Sequence, residues 1–189
     1  MSNTLDLLLN RRSVGQLEEP APKGSDLNLI LDAGLRAPDH GRLRPWRFVL
    51  IRGDAKPAWG DRLAAAALAR DPVNGAAIGE RSRAWVTRTP LIIAVGAKVR
   101  APHPIPEIEQ LLSAGAAVMN MLNAAHMLGY GGMWVTGANA YDASINEALG
   151  FQAPEKLIGF LAVGTAKTSA PSERPDRSAH VAEWSPSSA

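Results

Sequence analysis

Residues 91–97 read Leu-Ile-Ile-Ala-Val-Gly-Ala, and this near-continuous apolar run is the mark of a strand buried on both faces. Such a strand needs cover on each side, so the flanking chain should supply helices. Upstream, helical stretches are expected from Ala55 to Arg70 and from Ala76 to Arg88, with Pro90 as the break before the strand. Trp46 to Arg52 (WRFVLIR) reads as another strand. Further back, Thr4 to Asn10 forms a short helix with Asn3 or Thr4 as its cap. Ser25 caps the next helix, whose Leu27, Ile30, Leu31, Gly34 and Leu35 share one face until Pro38 stops it. Downstream, Glu107 to Leu128 is the longest helix, with small residues Ala114, Gly115, Ala117 and Ala124 along it. Strands at Met133–Thr136 and Ile158–Gly164 enclose a small helix over Asp142–Leu149. This alternation predicts a mixed α/β domain with helices on both sheet faces.

The 189 residues fit one domain, able to bury about 70% of the surface that the unfolded chain exposes. With 46% hydrophobic and 20% charged residues, the composition is that of an ordinary globular protein. There is no cysteine, which excludes disulfides, thiolate metal sites, iron–sulfur clusters and a cysteine nucleophile. No basic region precedes the leucines of MSNTLDLLLNRRS, so a secretory leader is not expected and a cytoplasmic location is the default. The most apolar stretch, Leu111 to Leu128, carries Ser113, Asn120, Asn123 and His126, which speaks against a membrane span. The net charge is only +2 and the arginines are spread along the chain, so no nucleic-acid footprint is visible. Between Ala166 and Ala189 there are three prolines and six serines. This segment reads as an arm, disordered or docked on another subunit, with only His180 to Trp184 (HVAEW) strand-like.

Two segments could carry chemistry. Arg11-Arg12-Ser13 offers two guanidiniums and a hydroxyl at a helix end, the fork-shaped donor set that suits a phosphate. Taken alone, those arginines are as readily complements of the helix dipole. The second segment is Arg36-Ala37-Pro38-Asp39-His40-Gly41-Arg42-Leu43-Arg44-Pro45-Trp46, a shaped loop between a helix stop and a strand. Asp39 and His40 can build a local turn there. A metal site is discounted, because His103, His126 and His180 stand without ligand spacing. Gly129-Tyr130-Gly131-Gly132 follows a helix and precedes a strand, the reverse of a dinucleotide fingerprint, so Gly129 reads as a helix C-cap. No G-x-S-x-G elbow or glycosidase-like carboxylate pair occurs; an enzyme of this sequence would leave the hard chemistry to a cofactor.

Assembled in order, LLLNRRSVGQLEEPAP, ILDAGLRAPDHGRLRPWRFVLI, TPLIIAV, SAGAAVMNMLNAAHMLGYGGMWVTG and IGFLAVGT resemble the FMN-dependent nitroreductase family, in its small single-domain NAD(P)H nitroreductase branch. The resemblance covers roughly residues 1 to 165 as one domain, with 166–189 as an arm wrapping the partner subunit. It implies an α+β fold: a mixed sheet flanked by helices on both faces, three layers deep, in a homodimer with flavin sites at the interface. FMN would be the cofactor and NAD(P)H the co-substrate. Hydride would pass through flavin N5 to nitroaromatic or quinone-type acceptors by a ping-pong mechanism, with no side chain as general base. By the same resemblance Arg11, Arg12 and Ser13 contact the FMN phosphate and ribityl chain. Arg36 and His40 reach the flavin of the second subunit, and Trp134, Val135 and Thr136 run beside its ring. The stretch Ala124–Gly129 matches one linked to the pyridine nucleotide. Arg174 would complete the phosphate site, in competition with Lys167 and Arg177. Alternatives of another class are a non-catalytic flavin-binding or redox-sensing module and a different flavin reaction on the same fold.

Overall fold

The computed structural model describes residues 4–167 and 175–185. In chain order the helices are α1 (Thr4–Asn10), α2 (Gly24–Gly34), α3 (Ala55–Arg70), α4 (Gly75–Arg88), α5 (Glu107–Met127), α6 (Gly137–Ala140) and α7 (Ala143–Ala148). The strands are β1 (Leu17–Glu18), β2 (Trp46–Ile51), β3 (Leu91–Ala97), β4 (Gly131–Val135) and β5 (Lys156–Ala166).

The buried run 91–97 is indeed the middle of the molecule. β3 is buried at all seven positions and pairs with β2 on one side and β5 on the other. Its alternate residues separate the two cores, as the strand period requires. Ile92 and Ala94 face a cluster with Trp59 and Leu63 of α3, Val86 of α4 and Ile145 of α7. Leu91, Ile93 and Val95 face Leu27 and Ile30 of α2 and Val118, Met121 and Leu122 of α5. The architecture is therefore three layers, helices on both faces of a sheet, and the fold class is α+β. The sheet expected to be mixed holds only antiparallel pairings among the described residues. β5 is its hub, bonded to β3, to β4 and, beyond them, to the two-residue β1. β1 and α6 are too short to leave a period in the sequence.

Helix ends agree less well than helix bodies. Ser25 does not cap α2: the N-cap position is Lys23, and Ser25 lies inside the first turn. Asn3 lies outside the described residues, and Thr4 is the first helical residue of α1. Gly129 does end α5. Its N–H donates to the His126 carbonyl and the Tyr130 N–H to that of Ala125, a Schellman pair with Gly129 at φ +87°. Gly34 marks where α2 crosses α5: a Cβ there would stand 2.9 Å from the Phe48 ring and 3.0 Å from Met121. In the arm, residues 175–185 are all exposed, and His180–Trp184 form no strand within this chain. Asp176 caps a single 3₁₀ turn over Arg177–Ala179 by accepting from the Ser178 N–H at 3.0 Å. Among the described residues no helix is long and apolar enough to cross a membrane.

Candidate functional site

After α1 the chain runs extended, and its backbone is fixed from both sides. The Val14 N–H donates to the Gly132 carbonyl (2.9 Å), and the Lys167 N–H to the Gln16 carbonyl (3.1 Å). Gly131 and Gly132 permit this approach. A Cβ on Gly131 would lie 2.9 Å from Leu17 and 3.3 Å from Val14; one on Gly132 would meet Leu122 at 3.0 Å. The result is a cleft of about 190 Å³ at the C-terminal end of α5, lined by Arg11, Arg12, His126, Tyr130, Gly132 and Ala166 among others.

Two residues of that lining each carry a polar atom that is buried without a hydrogen-bond partner among the described residues: Arg11 Nη1 and His126 Nε2. Asn123 Oδ1, one turn earlier on α5, is in the same condition. Such groups cost about 1–3 kcal/mol each when left unpaired, and two of them on residues of one cleft mark it as a candidate ligand site. A guanidinium donor here suits an anion. Tyr130 closes the cleft as a neutral phenol: its hydroxyl donates to Asp26 of α2 at 2.9 Å, and that bond, with burial, raises its pKa above the ordinary tyrosine value. Ser13 is exposed on the same segment.

From this cleft β4 leads away along an edge of the sheet, paired only with β5 among the described residues. Its five residues span about 17 Å at the rise of an extended strand. Trp134 turns toward α5: its Nε1 donates to the Ile158 carbonyl at 3.3 Å, and Gly115 faces the far corner of its ring. The side chain stays 40% exposed, so it is no core tryptophan. Val135, on the opposite face of the strand, reaches with Thr136 a second hollow of about 270 Å³ beside Arg81, Ser82 and Trp85 of α4. Trp85 stands edge-on to Phe160 there, ring centroids 6.3 Å apart.

Arg36 and His40 lie elsewhere. Both are exposed, and His40 Nδ1 is 2.6 Å from Glu109 Oε2 at the start of α5. Glu109 and His126 are separated by about 25 Å of helix at the α-helical rise. Asn120, on the Glu109 side of α5, donates to the Ala33 carbonyl just before Arg36. Gly115 and Leu122, on another side, face β4. Between these two flanks runs an exposed stripe of Ile108, Leu112 and Met119. A single chain therefore keeps Arg11–Ser13 and Arg36–His40 on opposite sides of α5. Of the three cations considered for the end of the phosphate site, Arg174 lies outside the described residues, and Arg177 is exposed in the arm. Lys167 sits beside Gly15, Gln16 and Arg88, with its Nζ 3.4 Å from Glu18. The sequence does not single out Arg81, reads Tyr130 only within the glycine-rich stretch 129–132, and weighs His126 by itself only as a metal ligand. Nothing in a lone residue announces an unpaired atom or a hollow wall.

The geometry can be set beside known proteins. The sequence profile of the nitroreductase family matches residues 8–165. The chain belongs to that family. A protein of Escherichia coli (strain K12) named "Putative NAD(P)H nitroreductase YdjA" is 42% identical over 168 residues, 89% of this chain and 91% of that one. A "Putative NAD(P)H nitroreductase" of Haemophilus influenzae is 31% identical over 176 residues, covering 90% and 92%. Among solved structures, a nitroreductase-like family protein from Bacillus cereus superposes with a TM-score of 0.83 at 20% identity, covering 97% of both chains, which shows the shared fold. A protein from Desulfovibrio desulfuricans described as "a putative nitroreductase in complex with fmn" has a TM-score of 0.75 at 28% identity and covers 98% of this chain and 99% of that one. This member of the family thus has relatives whose names carry NAD(P)H and a structural neighbour that binds FMN.

Proposed function

We propose that the chain is an FMN-dependent oxidoreductase that draws on NAD(P)H and reduces nitroaromatic or quinone-type acceptors in a ping-pong cycle. The observation that carries this is Arg11, whose buried Nη1 has no partner among the described residues, on the wall of a cleft that opens onto β4. FMN is an anion at one end and a flat ring at the other. Arg11, Arg12 and Ser13 would hold the phosphate and ribityl end, and Trp134, Val135 and Thr136 would flank the ring. When bound, the flavin would supply two-electron hydride chemistry between the nicotinamide and the acceptor. The chain's own share is orientation and exclusion of water, with backbone and arginine donors fixed before the ligand arrives. No side chain on this lining has to act as a general base.

The same reading makes the protein a homodimer. The exposed stripe Ile108, Leu112 and Met119, with Leu5, Leu8 and Leu9 of the adjoining α1, is an apolar surface of the kind that marks an association site. Antiparallel packing of two α5 helices across that stripe would bring the partner's loop after α2, with its Arg36 and His40, toward this chain's cleft. The exposed arm, with Val181 and Trp184 uncovered, is suited to lie on the partner.

An absorbance spectrum of the purified protein tests the proposal. A yellow protein that bleaches anaerobically on addition of NADPH or NADH is the expected result. A colourless protein that takes up no added FMN would overturn it. Tight flavin with no oxidation of pyridine nucleotide would leave a binding module in place of an enzyme.

A further inference from the structure

A further hollow, of about 610 Å³, lies away from the cleft and from β4 and is walled by cations. Arg42 and Arg44 come from the loop after His40; Lys98 and Arg100 come from the segment leaving β3. All four are exposed, and none has an ion-pair partner among the described residues. The one carboxylate on the lining, Glu155, is already paired with Arg47 at 3.4 Å. Arginines that are scattered in the sequence are thus gathered by the fold into one patch.

The patch is built on a fixed backbone. Leu43 is buried between Arg42 and Arg44, so those two side chains are turned outward together. Asp39 Oδ2 accepts from the Arg44 N–H at 2.7 Å, and the Lys98 N–H donates to the Pro45 carbonyl at 2.6 Å. Buried Gln110 clamps Arg100 in both directions: its Oε1 accepts from the Arg100 N–H (2.8 Å) and its Nε2 donates to the Arg100 carbonyl (3.1 Å). Arg42 and Arg44 hold φ of +54° and +49°, in the left-handed region that costs a non-glycine residue. Strain of this kind persists where surrounding structure holds it, and it gathers at ligand sites.

We propose that this hollow binds the 2′-phosphate of NADPH and so selects NADPH over NADH. The assignment of the nucleotide rests on the redox function proposed above. A terminal phosphate is a dianion with three acceptor oxygens, whereas NADH offers a neutral hydroxyl at that position. The dianion matches several cations that have no carboxylate partner among the described residues, although Arg100 Nη2 also donates to the Leu43 carbonyl at 3.4 Å. Arg42 and Arg44 follow His40 by two and four residues, at most about 7 and 14 Å of chain. If His40 lies at a flavin, the hollow is within the span of a dinucleotide whose nicotinamide rests on that flavin.

The test uses the protein as purified and saturated with FMN, with the pair R42N/R44N. Asparagine tolerates the left-handed backbone, so the charges go while the loop is kept. A second variant, K98Q, alters a residue with ordinary backbone. Calorimetric titration with 2′,5′-ADP, 5′-AMP and inorganic phosphate is read beside steady-state kinetics. The expected result is that 2′,5′-ADP binds the wild type about tenfold or more tightly than 5′-AMP or free phosphate, and that each variant loses about tenfold of that affinity. KM for NADPH should rise in proportion, while KM for NADH and kcat with either nucleotide stay within about twofold. Equal changes for NADPH and NADH, or 2′,5′-ADP binding untouched in both variants, overturn the site. Free phosphate binding as tightly as 2′,5′-ADP overturns the nucleotide assignment. Because the titration needs no turnover, 2′,5′-ADP binding through Arg42 and Arg44 in a protein that takes up no flavin would keep the phosphate site and sink the redox reading instead.

Discussion

Val14 donates its N–H to the carbonyl of Gly132 across 2.9 Å, joining two residues 118 positions apart. That bond lays the Arg11–Ser13 segment along the start of β4, and Gly15 continues the contact beside Met133. It converts two arginines at a helix end into the wall of a cleft. The dipole reading of those arginines describes their position along α1 but not the buried Nη1 of Arg11.

Replacing Arg11 by Met should separate binding from stability. Among the described residues the guanidinium has no partner at Nη1 to lose, so the melting temperature should hold or rise. FMN affinity should fall about 10- to 100-fold, the range for losing a hydrogen bond to a charged group. Flavin fluorescence titration and a thermal melt read both quantities; unchanged flavin affinity would remove Arg11 from the phosphate site.

His40→Ala should weaken flavin retention without unfolding the chain. Its pair with Glu109 is exposed on both sides, 65% and 42%, and a surface pair of this kind contributes less than about 1 kcal/mol. A large drop in melting temperature would instead make His40 a structural residue.

Leu112→Asp combined with Met119→Asp places two charges on the exposed stripe of α5. Light scattering should report monomers, and the flavin absorbance should fall in the same preparation, since Arg36 and His40 leave with the partner. A flavin-loaded monomer would contradict an interface site.

Asp142 is the N-cap of α7, accepting from the Ser144 and Ile145 N–H groups while also pairing with Arg70. Burial pulls its pKa up, but the bonds from Ser144, Arg70 and Ile145 prevail and hold it below the ordinary 3.8. A carboxylate with a depressed folded value stabilises fully above the unfolded value, and the contribution is lost as pH falls through the folded one. Asp142→Ala should therefore cost about 1–2 kcal/mol near neutral pH. Urea titrations repeated at falling pH should show the gap to wild type closing only below about pH 3.8.

What the sequence determined by itself was whatever repeats at short range. The run 91–97 announced the central strand because burial on both faces admits no polar residue. The bodies of α3, α4 and α5 followed from their length and composition, and Gly129 from its place after a helix. The nitroreductase-like fold was legible through the ordered RRSV and RAPDHGRLRPWRF segments. Tertiary structure alone decided which distant groups meet. Whether a guanidinium is paired depends on atoms more than a hundred residues away, and no spacing encodes that. The same holds for the cationic hollow, where Arg42 and Arg44 meet Lys98 and Arg100 only because β2 and β3 pair with Trp46 opposite Ala97. It holds for His40 and Arg11 too, since the length of α5 keeps them apart in one chain.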